Sequence, residues 1–311
     1  MLLLLLTAPL SAQERLSLHH DGKLRSVLID AAPGLRNAPL VIALHGGLAG
    51  PRFVRRRAAV SLSRRGWVVA WPAAEPEWND GRRDPDGLLY NDTDDVGFLR
   101  ALVARLAQQG VVDPDKVFVA GVSLGGNMAL RLVCDAPDLV RGAAVAVAAL
   151  PVGLDCPPDG PAVPLLLIHG TSDPIMPPAG GRIGGDNLMI RDRGRIRSIA
   201  ETAAFFARRN SCAGFREMGL PDVDNGDGAR TVVREYTGCA APLVHYVVHG
   251  GGHGMARSLL RAGGCARRGV DARFLRHRGC RAFFRRAAGA LAAVDRHSIT
   301  EPPSTASVWP V

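Results

Sequence analysis

Gly121-Val122-Ser123-Leu124-Gly125 is the segment of this chain in which residue type and spacing most directly imply chemistry. A serine between two glycines at a sharp strand-to-helix turn is pushed into an exposed, strained position from which its hydroxyl can attack a carbonyl. As bare letters, a G-x-S-x-G arises about 0.2 times by chance in a chain with 36 glycines among 311 residues, so its context must carry the reading. Context is favourable: VFVA precedes it and GGNMALRLV follows, an apolar strand and then a helical run. A helix-capping role is the bland alternative for Ser123.

A neutral serine hydroxyl is a poor nucleophile and needs an imidazole base that is itself held by a carboxylate. In sites of this strand-turn-helix kind the chain order is serine, acid, histidine. Asp173, in HGTSDPIMP after the apolar run PLLLIHG, stands where the acid should; its alternative reading is a turn residue ahead of Pro174. His253, in VVHGGGHGM, follows three glycines that let the backbone deliver a ring to the serine. His249 competes with it but belongs to the strand end. A tetrahedral intermediate requires two preorganised donors for its oxyanion. One is expected from the N–H of Leu124, the other from the loop His45-Gly46-Gly47, with Gly47 the choice. His45 and His169 read as strand-end scaffolding. His45 and Trp78 are also kept as candidate substrate contacts, with packing as the alternative role of Trp78.

The elements needed to position these residues are legible around them. LSLHHDGKLRSVLID alternates and turns at Asp21 and Gly22, which predicts a β-hairpin. PLVIALHGG, WVVAW, VFVA, GAAVAVAAL and PLLLIHG are continuous apolar runs, as strands buried on both faces are. Helical spacing between them covers Phe53 to Arg65, DVGFLRALVARLAQQG (capped by Thr93 or Asp94 and stopped at Gly110), the segment after Ser123, and RSIAETAAFFARRN. TVVREYTG and LVHYVVHG close the pattern as two strands joined by a short turn. Alternation of strand and helix predicts an α/β chain with a mostly parallel sheet covered on both faces. The loop from Glu75 to Asn91 is expected to overhang the C-terminal edge of that sheet, where ligands bind in open α/β sheets.

Of the 38 basic residues only Lys23 and Lys116 are lysines, leaving 36 arginines and a formal charge of +9. The arginines are scattered with few aromatics among them, so nucleic acid is not expected as a partner. Met1 to Leu6 followed by TAPLSA reads as a signal peptide over 1–12, although a basic n-region is missing. That run is too short to span a bilayer, and no stable membrane anchor is expected. Residues 13–297 then form a single catalytic domain and 298–311, rich in Pro and Ser, a disordered tail. The six cysteines show no C-x-x-C pair, so neither zinc nor a dithiol redox site is implied, and they allow 15 pairings. Cys212 with Cys239 leads, since each lies beside an element expected near His253; Cys134 with Cys156 and Cys265 with Cys280 follow. Asp222, Asp224, Asp227 and Gly228 imitate a calcium loop, but Val233 stands where its twelfth-position glutamate should be, so no metal is expected. No cofactor is called for. Asn91-Asp92-Thr93 is a formal glycosylation sequon.

Taken in order, LHGG, NDTDDVGFLRALV, VFVAGVSLGGNMALRL, LLLIHGTSDPIMPPAGG, ARRNSC, YTGC and VVHGGGH resemble the secreted esterase family that holds polyhydroxybutyrate depolymerase-like proteins, feruloyl esterases and some acetyl xylan esterases. The resemblance runs from about Leu40 to His253. It implies the α/β-hydrolase fold, the triad Ser123, Asp173 and His253, a Cys212–Cys239 bond, and hydrolysis of esters outside the cell. Feruloyl or acetyl esters of plant polysaccharide and polyhydroxyalkanoate are the implied substrates. After His253 the chain departs from the family, with GMARSLLRAGGCARRGV in place of a Trp-Pro step. Two other functions are set against this one: a peptidase of the same fold, which at this length lacks a propeller or cap domain, and an inactive binding protein, against which the complete triad argues.

Overall fold

The expected hairpin heads the fold: β1 (Gln13–His20) pairs with β2 (Lys23–Asp30), and Asp21 and Gly22 take φ of 48° and 69°, the left-handed conformation a two-residue hairpin turn demands. The computed structural model describes residues 13–47, 49–58, 62–84, 86–88, 90–185, 192–221 and 229–253. Residues 1–12, Asp222 to Gly228 of the PDVDNGDG run, Cys265, Cys280, the departure after His253 and the tail lie outside these residues. After the hairpin come β3 (Ala38–Leu44), α1 (Pro51–Ala58), a 3-10 turn at Ser63–Arg65, β4 (Val68–Pro72), α2 (Asp95–Gln108), β5 (Val112–Val122) and α3 (Leu124–Asp135). Next are β6 (Ala143–Ala146), β7 (Leu165–Gly170), β8 (Gly181–Arg182), β9 (Arg195–Ile196), α4 (Ile199–Arg209), β10 (Gly214–Gly219), β11 (Arg230–Thr237) and β12 (Leu243–His249).

Ten strands form one sheet in the order β1-β2-β4-β3-β5-β6-β7-β12-β11-β10. The six central strands from β4 to β12 run parallel, while β1 and β2 at one side and β11 and β10 at the other are antiparallel. Two-residue periodicity divides each central strand between two apolar layers. Leu40, Ile42, Val117, Val119, Val145 and Leu167 pack with Phe98, Leu102, Met128, Leu132 and Phe206 from α2, α3 and α4. Val41, Ala43, Phe118, Ala120, Ala144 and Ile168 pack on the other face with Val54 of α1. This is the α/β-hydrolase fold.

Three details differ from the sequence expectation. Within the helix expected over Phe53–Arg65, α1 covers Pro51–Ala58 and Ser63–Arg65 form instead a 3-10 turn that closes on Gly66 at φ 83°. GFREMG forms the edge strand β10, whose six residues are all exposed. With no buried face it leaves no apolar alternation to read. The pair β8–β9 is two residues long on each side, below the length at which a pattern exists.

Candidate active site

Three strand ends converge here. Ser123 sits between β5 and α3 with φ 56° and ψ −126°, a region a non-glycine residue adopts only when its surroundings enforce it. The neighbouring glycines show how. A Cβ on Gly121 would overlap the Gly125 carbonyl, and a Cβ on Gly125 would overlap the Leu44 carbonyl and lie 2.5 Å from that of His45. Backbone thus occupies the space on both sides of the turn. The serine N–H donates to Ala146 O at 2.9 Å, and its carbonyl accepts from Gly126 N at 2.7 Å and Asn127 N at 3.0 Å, which starts the helix.

His253 lies beyond β12 and must reach back across the end of β7. The glycines make that crossing: Gly250 takes φ 74°, Gly251 O accepts from Ser172 N at 2.9 Å, and a Cβ on Gly170 would overlap Gly251 O. Thr171 Oγ1 adds a hold by accepting from Gly250 N at 3.0 Å. The result is a continuous relay, with His253 Nε2 3.1 Å from Ser123 Oγ and His253 Nδ1 2.8 Å from Asp173 Oδ2. Asp173 is 4% exposed, and its other oxygen accepts from Ile175 N at 2.8 Å and Met176 N at 2.9 Å. One side chain thus makes two sets of contacts: Oδ1 closes the turn ahead of Met176 and Oδ2 holds the imidazole. With Nδ1–H donating to that carboxylate, Nε2 is left as the acceptor facing the serine. His249 stays in the β12 ladder opposite Arg230.

Leu124 is the first residue of α3, so its N–H is among those with no partner inside the helix. The expected second donor is adjacent: a Cβ on Gly46 would lie 3.2 Å from Ser123 Cβ, and one on Gly47 would lie 2.8 Å from Leu124 Cδ1. The loop after β3 and the turn after β5 therefore face each other across the serine.

His45 and Trp78, the candidate substrate contacts, are both buried. They are 5% and 1% exposed, and they hold each other: Trp78 Nε1 donates to His45 O at 2.8 Å, with the rings 5.2 Å apart. His45 Nε2 accepts from Ala74 N at 3.1 Å and its Nδ1 lies 2.9 Å from Gly46 O, while burial pushes its pKa down, so the ring is a neutral strut beneath the glycine loop. His169 is likewise scaffolding, 2% exposed, with Nδ1 3.0 Å from His245 Nε2 and Nε2 against Ala148 O. The sequon residue Asn91 spends its side-chain nitrogen on Glu75 O and Glu77 O, which pins the overhanging loop from within. Cys134–Cys156 and Cys212–Cys239 are both bonded. Sequence reading missed Thr171, Glu77 and Arg193 near the site, because single polar residues in loops carry no spacing signal.

The chain is 33% identical over 255 residues to "Putative esterase NocK" of Nocardia uniformis subsp. tsuyamanensis, a match covering 75% of this chain and 71% of that protein. It is 32% identical over 174 residues to "Feruloyl esterase D" of Neurospora crassa, covering 54% and 52%. "Feruloyl esterase C" of Emericella nidulans is 29% identical over 167 residues, covering 54% and 53%. The chain thus spans about half the length of these feruloyl esterases. Among solved structures, acetyl xylan esterase from Aspergillus awamori superposes with a TM-score of 0.55 at 15% identity, over 78% of this chain and 94% of that one, a likeness of fold. No protein-family model matches the chain.

Proposed function

The chain belongs to the α/β-hydrolase family of carboxylic ester hydrolases that includes NocK and the feruloyl esterases, and from that premise we propose that it cleaves esters through an acyl-enzyme on Ser123. His253 Nε2 takes the proton of Ser123 Oγ as that oxygen bonds to the ester carbonyl carbon, and returns it to the departing alcohol oxygen. Asp173 keeps the proton on Nδ1 and stabilises the imidazolium. The N–H groups of Gly47 and Leu124 receive the oxyanion, and the dipole of α3 adds to them. Water, deprotonated by the same imidazole, then releases the acid. The observation that carries this reading is the unbroken Ser123–His253–Asp173 hydrogen-bonded chain. It also speaks against an inactive binding protein.

The substrates of this reading are feruloyl or acetyl esters of plant polysaccharide, or polyhydroxyalkanoate-type polyester. A secreted location accompanies them: two disulfides suit an oxidising compartment, and among the described residues no helix is long and apolar enough to cross a membrane. Hydrolysis of p-nitrophenyl acetate and butyrate beside methyl ferulate, by the parent and by Ser123→Ala, tests the scheme. Turnover in the parent and its loss by ~10³-fold or more in the variant is expected. Cleavage of ferulate favours the plant-wall ester, and short esters alone favour polyester or oligomer. A folded parent inactive on every ester overturns the reading.

A further inference from the structure

Arg193 has no part in the scheme above, although the fold builds a frame around it. Its Nη1 lies 2.7 Å from where a Cβ on Gly47 would stand, so the guanidinium fills space over the oxyanion loop that only a glycine leaves open. Glu77 Oε1 holds the same nitrogen at 2.9 Å. The main chain is locked as well. Arg82 Nη1 donates to Arg193 O at 2.7 Å, and the preceding residue, Asp192, accepts from Tyr90 Oη at 2.9 Å and from Gly194 N at 2.8 Å. Arg82 is itself sealed in the protein, with Nε 2.7 Å and 2.8 Å from the two oxygens of the equally buried Asp80. Burying an ion pair carries a heavy desolvation cost. What this one holds in place is the backbone of Arg193.

A guanidinium presents five N–H donors in a planar fork suited to a carboxylate, and pairing with Glu77 engages one nitrogen. The side chain keeps 22% of its surface exposed. Its place beside Gly47 identifies which half of a substrate it meets. The leaving alcohol must face His253 to be protonated, and the carbonyl oxygen must face Gly47 and Leu124. Beside Gly47, Arg193 stands next to the carbonyl end of such an ester, within reach of the acyl part that extends from the same carbon.

We propose that Arg193 is a specificity-determining residue that selects esters whose acyl part carries a carboxylate a few bonds from the scissile carbonyl, with Glu77 orienting the guanidinium for that contact. The inference rests on the ester-hydrolase reading and narrows its substrate class. Its test is kcat/KM of the full chain on p-nitrophenyl hemiglutarate and p-nitrophenyl valerate, acyl chains of equal length that differ in the terminal carboxylate. Arg193→Gln is expected to lower the glutarate-to-valerate ratio by about tenfold or more, the worth of one charge-assisted hydrogen bond, and Arg193→Lys to keep part of it. Sodium chloride should lower the parent's ratio in the same direction. A ratio unchanged in Arg193→Gln, with both rates falling in step, marks Arg193 as scaffold and overturns the proposal while the ester-hydrolase reading stands. A parent that cleaves neither ester overturns both.

Discussion

Asp173 shows how much one side chain is asked to do. Two backbone N–H groups at Oδ1 fix the carboxylate plane, and that plane aims Oδ2 at His253 Nδ1. The two tasks can be separated by Asp173→Asn. An amide retains an oxygen for the turn, so the fold should persist, but its NH₂ faces Nδ1 and drives the imidazole into the tautomer that cannot accept the serine proton. The expected result is a kcat loss of about 10³–10⁴-fold with a melting temperature near the parent's. A large fall in melting temperature instead would assign Asp173 mainly to the turn. His45 and Trp78 teach the converse lesson at this scale. Both chemistries were credible from residue type, yet burial and mutual hydrogen bonding turn them into the support under Gly46 and Gly47.

At the scale of elements, the motif DDVGF resolves into four separate tasks at the start of α2. Asp94 caps the helix by accepting from Gly97 N at 2.8 Å, and Gly97 leaves room for that cap. Asp95, fully buried, binds Arg25 Nη2 of β2 at 2.6 Å and Asn79 N at 2.7 Å, while Phe98 lies under the same guanidinium with 4.1 Å to the ring centroid. One helix end therefore ties the hairpin to the loop above the site. Asp95→Asn leaves Arg25 charged and unpaired in the interior, a loss of roughly 3–5 kcal/mol and about 10 °C in melting temperature for a domain of this size. Asp138→Asn is the control, since its pair with Arg100 is exposed and should leave the melting temperature almost unmoved. Similar results for both would remove the special role of burial. ARRNSC works the same way. Arg209 reaches Cys156 Sγ, Val133 O and Pro161 O, and Asn210 joins Val163 to Ala241, so the end of α4 binds the starts of β7 and β12 together.

At the scale of the molecule, three histidines among the described residues are sealed in the sheet region: His45, His169 and His245. Burial depresses the pKa of each, that of His169 to about 4, and His245 is lowered further by its neighbours His169 and Arg234. All three are neutral in the native state, whereas an unfolded chain takes up their protons below pH 6.5. Stability is thus fully present above that pH and falls as pH drops toward 4, with roughly 3 kcal/mol attributable to His169 alone across the window. Urea midpoints at pH 7 and pH 5 read this directly, and equal midpoints would refute it. Much of the molecule was legible beforehand. Apolar runs, glycine positions and the order Ser123, Asp173, His253 are local or one-dimensional properties, and they pointed to the sheet, to the sharp turn at Ser123 and to three side chains that the fold brings within hydrogen-bond reach. Local sequence does not contain the partners a side chain meets across the fold, so other matters were decided only by tertiary structure. Among them were the edge strand β10 with no buried face, the burial of Trp78 and the double use of Asp173. The placing of Arg193 over Gly47 is the clearest case, because residues 146 positions apart meet only when the folded chain brings Arg193 against the glycine turn after β3.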